Sequence, residues 1–219
     1  MNDRERAGCG SSMSAANDCT LDALVGRGFK TIVADPPWEM KRGSSYSWRR
    51  GRMSGERITL DYPTMTLEEI EAMPVAGVAD KDAHLFLWTT QRHLEASYGI
   101  ARAWGFVPTC ALVWCKAPHG WGPGGVFQST VEFCLYGRRG KPLPNRHTIN
   151  RQWWEWPRSR HSAKPEAFQD MVETVSPGPR LELFARRARP GWTVWGNEVE
   201  ANDALKADPV CRSSTLRES

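Results

Sequence analysis

Residues 29–38 read FKTIVADPPW, and the fold turns on how they are read. Thr31-Ile32-Val33-Ala34 is a short apolar run, which predicts a buried β-strand. Pro36 and Pro37 cannot extend that strand, because each lacks an N–H and has a fixed φ. The strand therefore stops at Asp35, leaving an acid, two stiffened carbonyls and the Trp38 ring at its carboxyl end. Ligands of open α/β sheets bind at the carboxyl ends of strands. Two prolines alone mark only a loop start as often as a site. The full tetrapeptide Asp35-Pro36-Pro37-Trp38 at a strand end is much rarer by chance.

Working outward, strand and helix patterns alternate. Ala83–Trp88, Cys110–Cys115, Val131–Tyr136, Leu181–Phe184 and Trp192–Gly196 read as strands, and Gln152–Trp156 as a strand with alternating faces. Residues 66–73, 91–104 and 165–175 read as helices, the first opened by a Thr66/Glu69 capping box and the last by Pro165. This alternation predicts an α/β fold with a mostly parallel sheet and helices on both faces. The 219 residues are enough for one such domain. We expect it over residues 20–199, with a flexible arm at 1–19 and a polar tail at 200–219.

No apolar run reaches the ~20 residues of a membrane helix, and the N-terminus lacks a signal-peptide core. A cytoplasmic protein without membrane contact is expected. The six cysteines form no C-x-x-C pair or metal spacing, so no metal is expected and the thiols are expected to be reduced.

Net charge is +4, but it is unevenly spread. Residues 41–57 carry a net +5 and residues 138–160 a net +6, leaving −7 for the rest. A charge run is usually a solvated face. Here Trp, Tyr and Gly interrupt both runs, a composition suited to a nucleic-acid backbone and unstacked bases. Residues 39–61 read as a long basic loop, beyond the usual ~12–15 residues for a structureless connection. Its Lys41, Arg42, Tyr46, Trp48, Arg49, Arg50 and Arg52, with Tyr62 just after, are the candidate nucleic-acid contacts.

Four islands stand in series: Asp35-Pro36-Pro37-Trp38; His161-Ser162-Ala163-Lys164-Pro165; Ser176-Pro177-Gly178 with Leu181-Glu182-Leu183-Phe184-Ala185-Arg186; and Gly196-Asn197-Glu198. Tyr62-Pro63-Thr64-Met65, Phe86-Leu87-Trp88 and Trp114-Cys115-Lys116 lie between them. From about Phe29 to Glu198 the chain resembles the MT-A family of adenine amino-methyltransferases, which contains the eukaryotic messenger-RNA adenosine methyltransferase subunit and bacterial and phage relatives. The resemblance implies a Rossmann-like methyltransferase sheet in permuted motif order, the catalytic tetrapeptide preceding the cofactor half. It implies S-adenosylmethionine as cofactor and the exocyclic amine of adenine as acceptor.

That amine is a poor nucleophile, because its lone pair is delocalised into the ring. Asp35 and the Pro36 carbonyl can each accept one amine N–H, pulling the nitrogen toward tetrahedral geometry. Trp38 can stack on the flipped base. The catalytic set is therefore Asp35, Pro36, Pro37 and Trp38. The resemblance further implies that Lys164 pairs with the cofactor carboxylate and Asp35 with its amino group. Arg186 and Asn197 match positions at ribose and adenine, Glu182 and Phe184 line the cofactor strand, and Asp18 or Asn17 falls near an upstream acidic contact. Glu198 replaces a commonly neutral amide.

Phe184-Ala185-Arg186 stands where the wider methyltransferase class has a glycine-rich turn, a departure the MT-A group shares. DNA is the expected substrate, RNA the alternative. The basic loop, longer than in the eukaryotic subunits, suggests that no partner subunit is needed. A non-catalytic nucleic-acid-binding subunit and a small-molecule N-methyltransferase are the competing functions. The intact tetrapeptide with Lys164 argues against the first, and the basic runs against the second.

Overall fold

The computed structural model describes residues 21–39, 45–49, 52–56, 63–117, 127, 129–145, 149–157, 163–196 and 208–211. The arm at 1–19 lies outside them, apart from which a 3-10 turn at Leu21–Leu24 leads into the first strand. In chain order the elements are β1 (Phe29–Ala34), β2 (Ser45–Arg49), β3 (Arg52–Glu56), α1 (Leu67–Glu71), α2 (Val75–Val78), β4 (Ala79–Thr89), α3 (Leu94–Ala103) and β5 (Val107–Ala117). There follow β6 (Val131–Arg139), β7 (Trp153–Pro157), α4 (Glu166–Val175), β8 (Arg180–Leu183), β9 (Trp192–Trp195) and β10 (Asp208–Cys211).

Eight of the described strands form one sheet in the order β10-β9-β8-β1-β4-β6-β5-β7. Of these, β6 alone runs against its neighbours, pairing antiparallel with both β4 and β5. The mostly parallel α/β sheet expected from the sequence is therefore present. β1 lies near its centre, parallel to β8 on one side and β4 on the other, and Ala34 has both Leu183 and Leu87 as register partners. A strand covered on both faces reads as a continuous apolar run, which is why β1 shows no alternation.

Helices cover both faces. Ile70 of α1, Val75 and Val78 of α2 and Ile100 and Ala101 of α3 pack with Ile32, Ala34, Leu85, Leu87 and Leu135. On the other face Phe168 and Val172 of α4 pack with Val33, Phe86, Trp88, Trp114 and Cys134. The α1 capping box forms as predicted: Glu69 N–H donates to Thr66 Oγ1 (3.2 Å) and Thr66 N–H to Glu69 Oε2 (2.7 Å).

Several boundaries differ from expectation. Residues 39–61 are not a structureless loop, because β2 and β3 pair antiparallel with Arg49 opposite Arg52. SYSWR and RMSGE carry too little apolar alternation to announce strands. Asp208–Cys211, inside the stretch read as a polar tail, pairs with β9 as an edge strand, where Pro209 is tolerated. β8 ends at Leu183, one residue early, because Phe184 turns into the left-handed region at φ +62°.

Candidate active site

The tetrapeptide is held at the carboxyl end of β1 by backbone bonds. The Asp35 N–H donates to the Leu183 carbonyl (3.4 Å), tying it to β8. The Pro36 carbonyl accepts the Trp38 N–H (2.9 Å), closing a three-residue turn. The Pro37 carbonyl accepts the Met65 N–H (2.8 Å), which brings the chain after the basic hairpin back beside the site. A carbonyl oxygen has two lone pairs, so Pro36 keeps one for a further donor.

Trp38 is a strut in this arrangement. It is 6% exposed, its indole N–H donates to the Trp88 carbonyl (3.1 Å), and its ring stacks on His93 at 5.2 Å and 12°. His93 Nε2 bonds in turn to the Glu39 carbonyl (3.0 Å), so that nitrogen carries the proton. The expectation of an open stacking platform at Trp38 meets a ring already covered by His93, which the sequence did not place nearby.

The acid itself belongs to a line of alternating charges. Lys164 Nζ lies 2.8 Å from Asp35 Oδ2 and 3.2 Å from Glu132 Oε2, and Lys116 Nζ lies 2.6 Å from Glu132 Oε1. These side chains share the α4 face of the sheet, because Asp35 continues the parity of Val33, and Glu132 and Trp114 are register partners. Burial works against the Lys164 charge, but Asp35 and Glu132 outweigh it and hold the ammonium above its ordinary pKa. Burial likewise opposes ionisation of Glu132, yet Lys164 and Lys116 outweigh it and keep the carboxyl below the usual value. Trp88 lies beneath, its ring centroid 5.2 Å from Lys164 Nζ.

The carboxyl end of β8 lies beside that of β1. Phe184 takes the positive φ that a glycine would supply in a glycine-rich turn. The glycine is instead Gly196, at the end of β9: a side chain there would collide with the Ala185 backbone. Ala185 N–H donates to the Trp195 carbonyl (3.0 Å), and Phe184 packs edge-on against Trp195. The Gln169 side-chain amide of α4 donates to both oxygens of Glu182 (3.2 Å each), and Arg187 holds Gln169 and Glu166. Burial raises the Glu182 pKa to about 7 despite the Gln169 bonds. Arg186 follows this turn, half-buried.

The structure thus gathers Asp35, Pro36, Pro37, Lys164, Glu182, Phe184 and Arg186 along the carboxyl ends of β1 and β8. Asp18, Lys41, Arg42, Arg50, Tyr62, Asn197 and Glu198 lie outside the described residues. Of Tyr46, Trp48, Arg49 and Arg52, the backbone is placed in β2 and β3. Sequence reading missed Glu132, and it saw Lys116 only within Trp114-Cys115-Lys116. The available signal was an acid in the otherwise apolar strand VEFCLY: a charge facing a covered sheet needs a partner. Among the described residues no cluster of His, Cys, Asp or Glu could hold a metal ion, and no helix is long and apolar enough to cross a membrane. A groove on the outer side of α3, lined by Gln91, Arg92, Glu95, Tyr98 and Arg102, is separate from the charged line.

Comparison with known proteins adds a second line of information. The MT-A70 family model matches residues 29–198. The type II methyltransferase M.MunI of a Mycoplasma species is 33% identical over 197 residues, covering 84% of each chain. The human N(6)-adenosine-methyltransferase catalytic subunit METTL3 is 27% identical over 201 residues, covering 88% of this chain but 32% of that protein. The Drosophila melanogaster N(6)-adenosine-methyltransferase MT-A70-like protein is 28% identical over 189 residues, 28% of its length.

Proposed function

The chain belongs to the MT-A70 family, and on that premise we propose that it transfers a methyl group from S-adenosylmethionine to the 6-amino group of adenine in nucleic acid, with DNA the preferred polymer. The observation that carries this reading is the 2.8 Å contact between Lys164 and Asp35 at the junction of β1 and β8. It sets a cation suited to the cofactor carboxylate beside an acid suited to an ammonium or an amine. The chemistry of the donor set fits the cofactor as well: Glu182 and Arg186 lie on and just after β8, where an adenosine's polar groups would need partners.

When bound, the cofactor supplies an electrophilic methyl group on a sulfonium. The chain's own residues prepare the acceptor. Lys164 occupies Asp35 Oδ2, leaving Oδ1 to accept one amine N–H, while the free lone pair of Pro36 accepts the other. Two fixed acceptors act where positive charge develops on nitrogen, and they need no reorganisation at the moment of transfer. The proline backbone and the Met65 bond keep them in place. A strong base is not required before attack, because the cationic product is acidic.

The match to a bacterial type II methyltransferase over most of both lengths supports DNA over RNA. The test is methyl transfer from labelled cofactor to DNA, to RNA and to free adenosine. We expect incorporation at adenine in DNA that Asp35→Ala lowers by about 100-fold or more without loss of fold. Wild-type protein that labels none of the three, or an Asp35→Ala variant of equal activity, would refute the reading.

A further inference from the structure

The charged line beside Asp35 rests on a floor of tryptophans that continues past the site to the rim of the sheet. Trp88 lies under Lys164, and Trp114 lies 5.6 Å from Lys116 and edge-on to Trp88 at 6.1 Å. Both are buried, and Trp114 donates its indole N–H to the Trp156 carbonyl (2.9 Å). The next strand is β7, the outermost of the sheet on that side. Its register sets Trp154 beside Trp114 and Trp156 beside Lys116, on the same face as the site. The Trp154 and Trp156 rings stack at 5.4 Å and 13°, both half-buried.

Folding alone does not call for this pair. Phe168 of α4 reaches Trp156 edge-on at 6.4 Å, which accounts for that ring as core. Trp154 lies one step further out, flanked by exposed Arg151, Gln152 and Glu155 and by Trp153, which is 54% exposed. Edge strands are ordinarily blunted by charge or proline, and a polar side chain at 154 would satisfy this one. Instead an aromatic ladder starts beside Lys116, three ion pairs from Asp35, and ends at the rim of the sheet near exposed Arg151.

We infer that Trp154 and Trp156 form a stacking subsite for an unpaired base neighbouring the target adenine, with the exposed Arg151 near for its backbone. The inference rests on the adenine-methyltransferase reading and adds to it. The occupant is nucleic acid because only such a ligand combines flat apolar faces, which stack on indoles in any sequence, with a continuous negative backbone. It also follows that the bases next to the target are splayed or single-stranded when the amine reaches Asp35.

The test is a cycle between ring and base. Wild-type protein and Trp154→Ala are titrated with fluorescent oligonucleotides carrying one adenine and an abasic site at each flanking position in turn. We expect removal of one flanking base to weaken wild-type binding by about 5- to 150-fold. The same removal should cost Trp154→Ala little, and Trp154→Phe should retain most of the wild-type penalty. Cofactor affinity, measured by calorimetry, should be unchanged in both variants. An equal abasic penalty in wild type and Trp154→Ala overturns the subsite. So does a variant that loses only thermal stability, or one that turns a dimer into a monomer with the abasic penalty intact. In each of those cases methylation of adenine by the wild type leaves the functional reading standing. Wild-type protein that neither binds nor methylates nucleic acid defeats both.

Discussion

Lys164 faces two carboxylates, so replacing it does more than remove the proposed cofactor contact. Lys164→Ala leaves Asp35 and Glu132 without their shared cation, and charged hydrogen bonds are worth about 1.5–3 kcal/mol each. Calorimetry with S-adenosylmethionine should show affinity lower by about 10- to 150-fold. Glu132→Gln should be milder for cofactor binding and sharper for turnover, because it frees Lys116 and Lys164 to repel one another while Asp35 keeps its ion pair. Unchanged cofactor affinity in Lys164→Ala would contradict the assignment. Two further residues set the pH response. Burial and Arg138 lower the pKa of His84 from 6.5 to about 4. The unfolded chain therefore takes up that proton first, and about 3 kcal/mol of stability is lost as pH falls from 6.5 toward 4. Glu182 does the reverse: raised from 4.5 to about 7, it favours the folded state at low pH and loses that contribution as pH rises from 4.5 to 7. Its magnitude is reduced by solvent at the half-buried carboxylate. The two slopes oppose each other between pH 4.5 and 6.5, so urea titrations of the wild type should vary little there. His84→Gln should become less stable as pH rises through that window, and Glu182→Gln more stable; parallel profiles for all three proteins would exclude these assignments.

Single elements show how far the sequence could be read. The Thr66/Glu69 capping box, the β1 stop at Asp35 and the α4 start after Pro165 were legible, because each depends on local chemistry that a few residues carry. β2 and β3 were not, since SYSWR and RMSGE owe their pairing to one another and not to an apolar face. The Trp38–His93 stack and the Glu132–Lys164 pair were hidden for another reason: they join residues of elements far apart in the chain, and single-sequence spacing cannot reveal contacts that only the sheet order creates. Asp35 and Lys164 were found through their motifs, Glu132 only through the register of β6. The turn after β8 is fitted at this scale too, since Gly196, just after β9, lets the Phe184-Ala185 backbone pass close by. Gly196→Ala should force the Phe184-Ala185 turn to move, lowering stability by about 1–3 kcal/mol and weakening the cofactor beyond that. A melting scan paired with calorimetry checks both effects, and an alanine variant with wild-type values for each would show that the clearance is not needed.

The whole molecule carries its positive charge in two stretches of the sequence, at 41–57 and 138–160, against an acidic remainder. One starts just after Trp38, and the other contains β7. Binding of DNA should accordingly depend steeply on salt, with a log–log slope of roughly −0.7 to −0.9 per phosphate neutralised. A slope near zero would mean that neither stretch meets the polymer. The fold also sets the order in which the site can exist. β1 and β8 are neighbours in space, yet nearly 150 residues separate Ala34 from Leu183 in the chain. A ribosome releases the acid early and the strand that brackets it late. Until the last third of the protein emerges, one edge of β1 is unzipped and the acid has no lysine. If Asp35 and Lys164 act as proposed, the nascent chain should stay inert throughout most of its own synthesis, and a chain truncated before Lys164 should remain so.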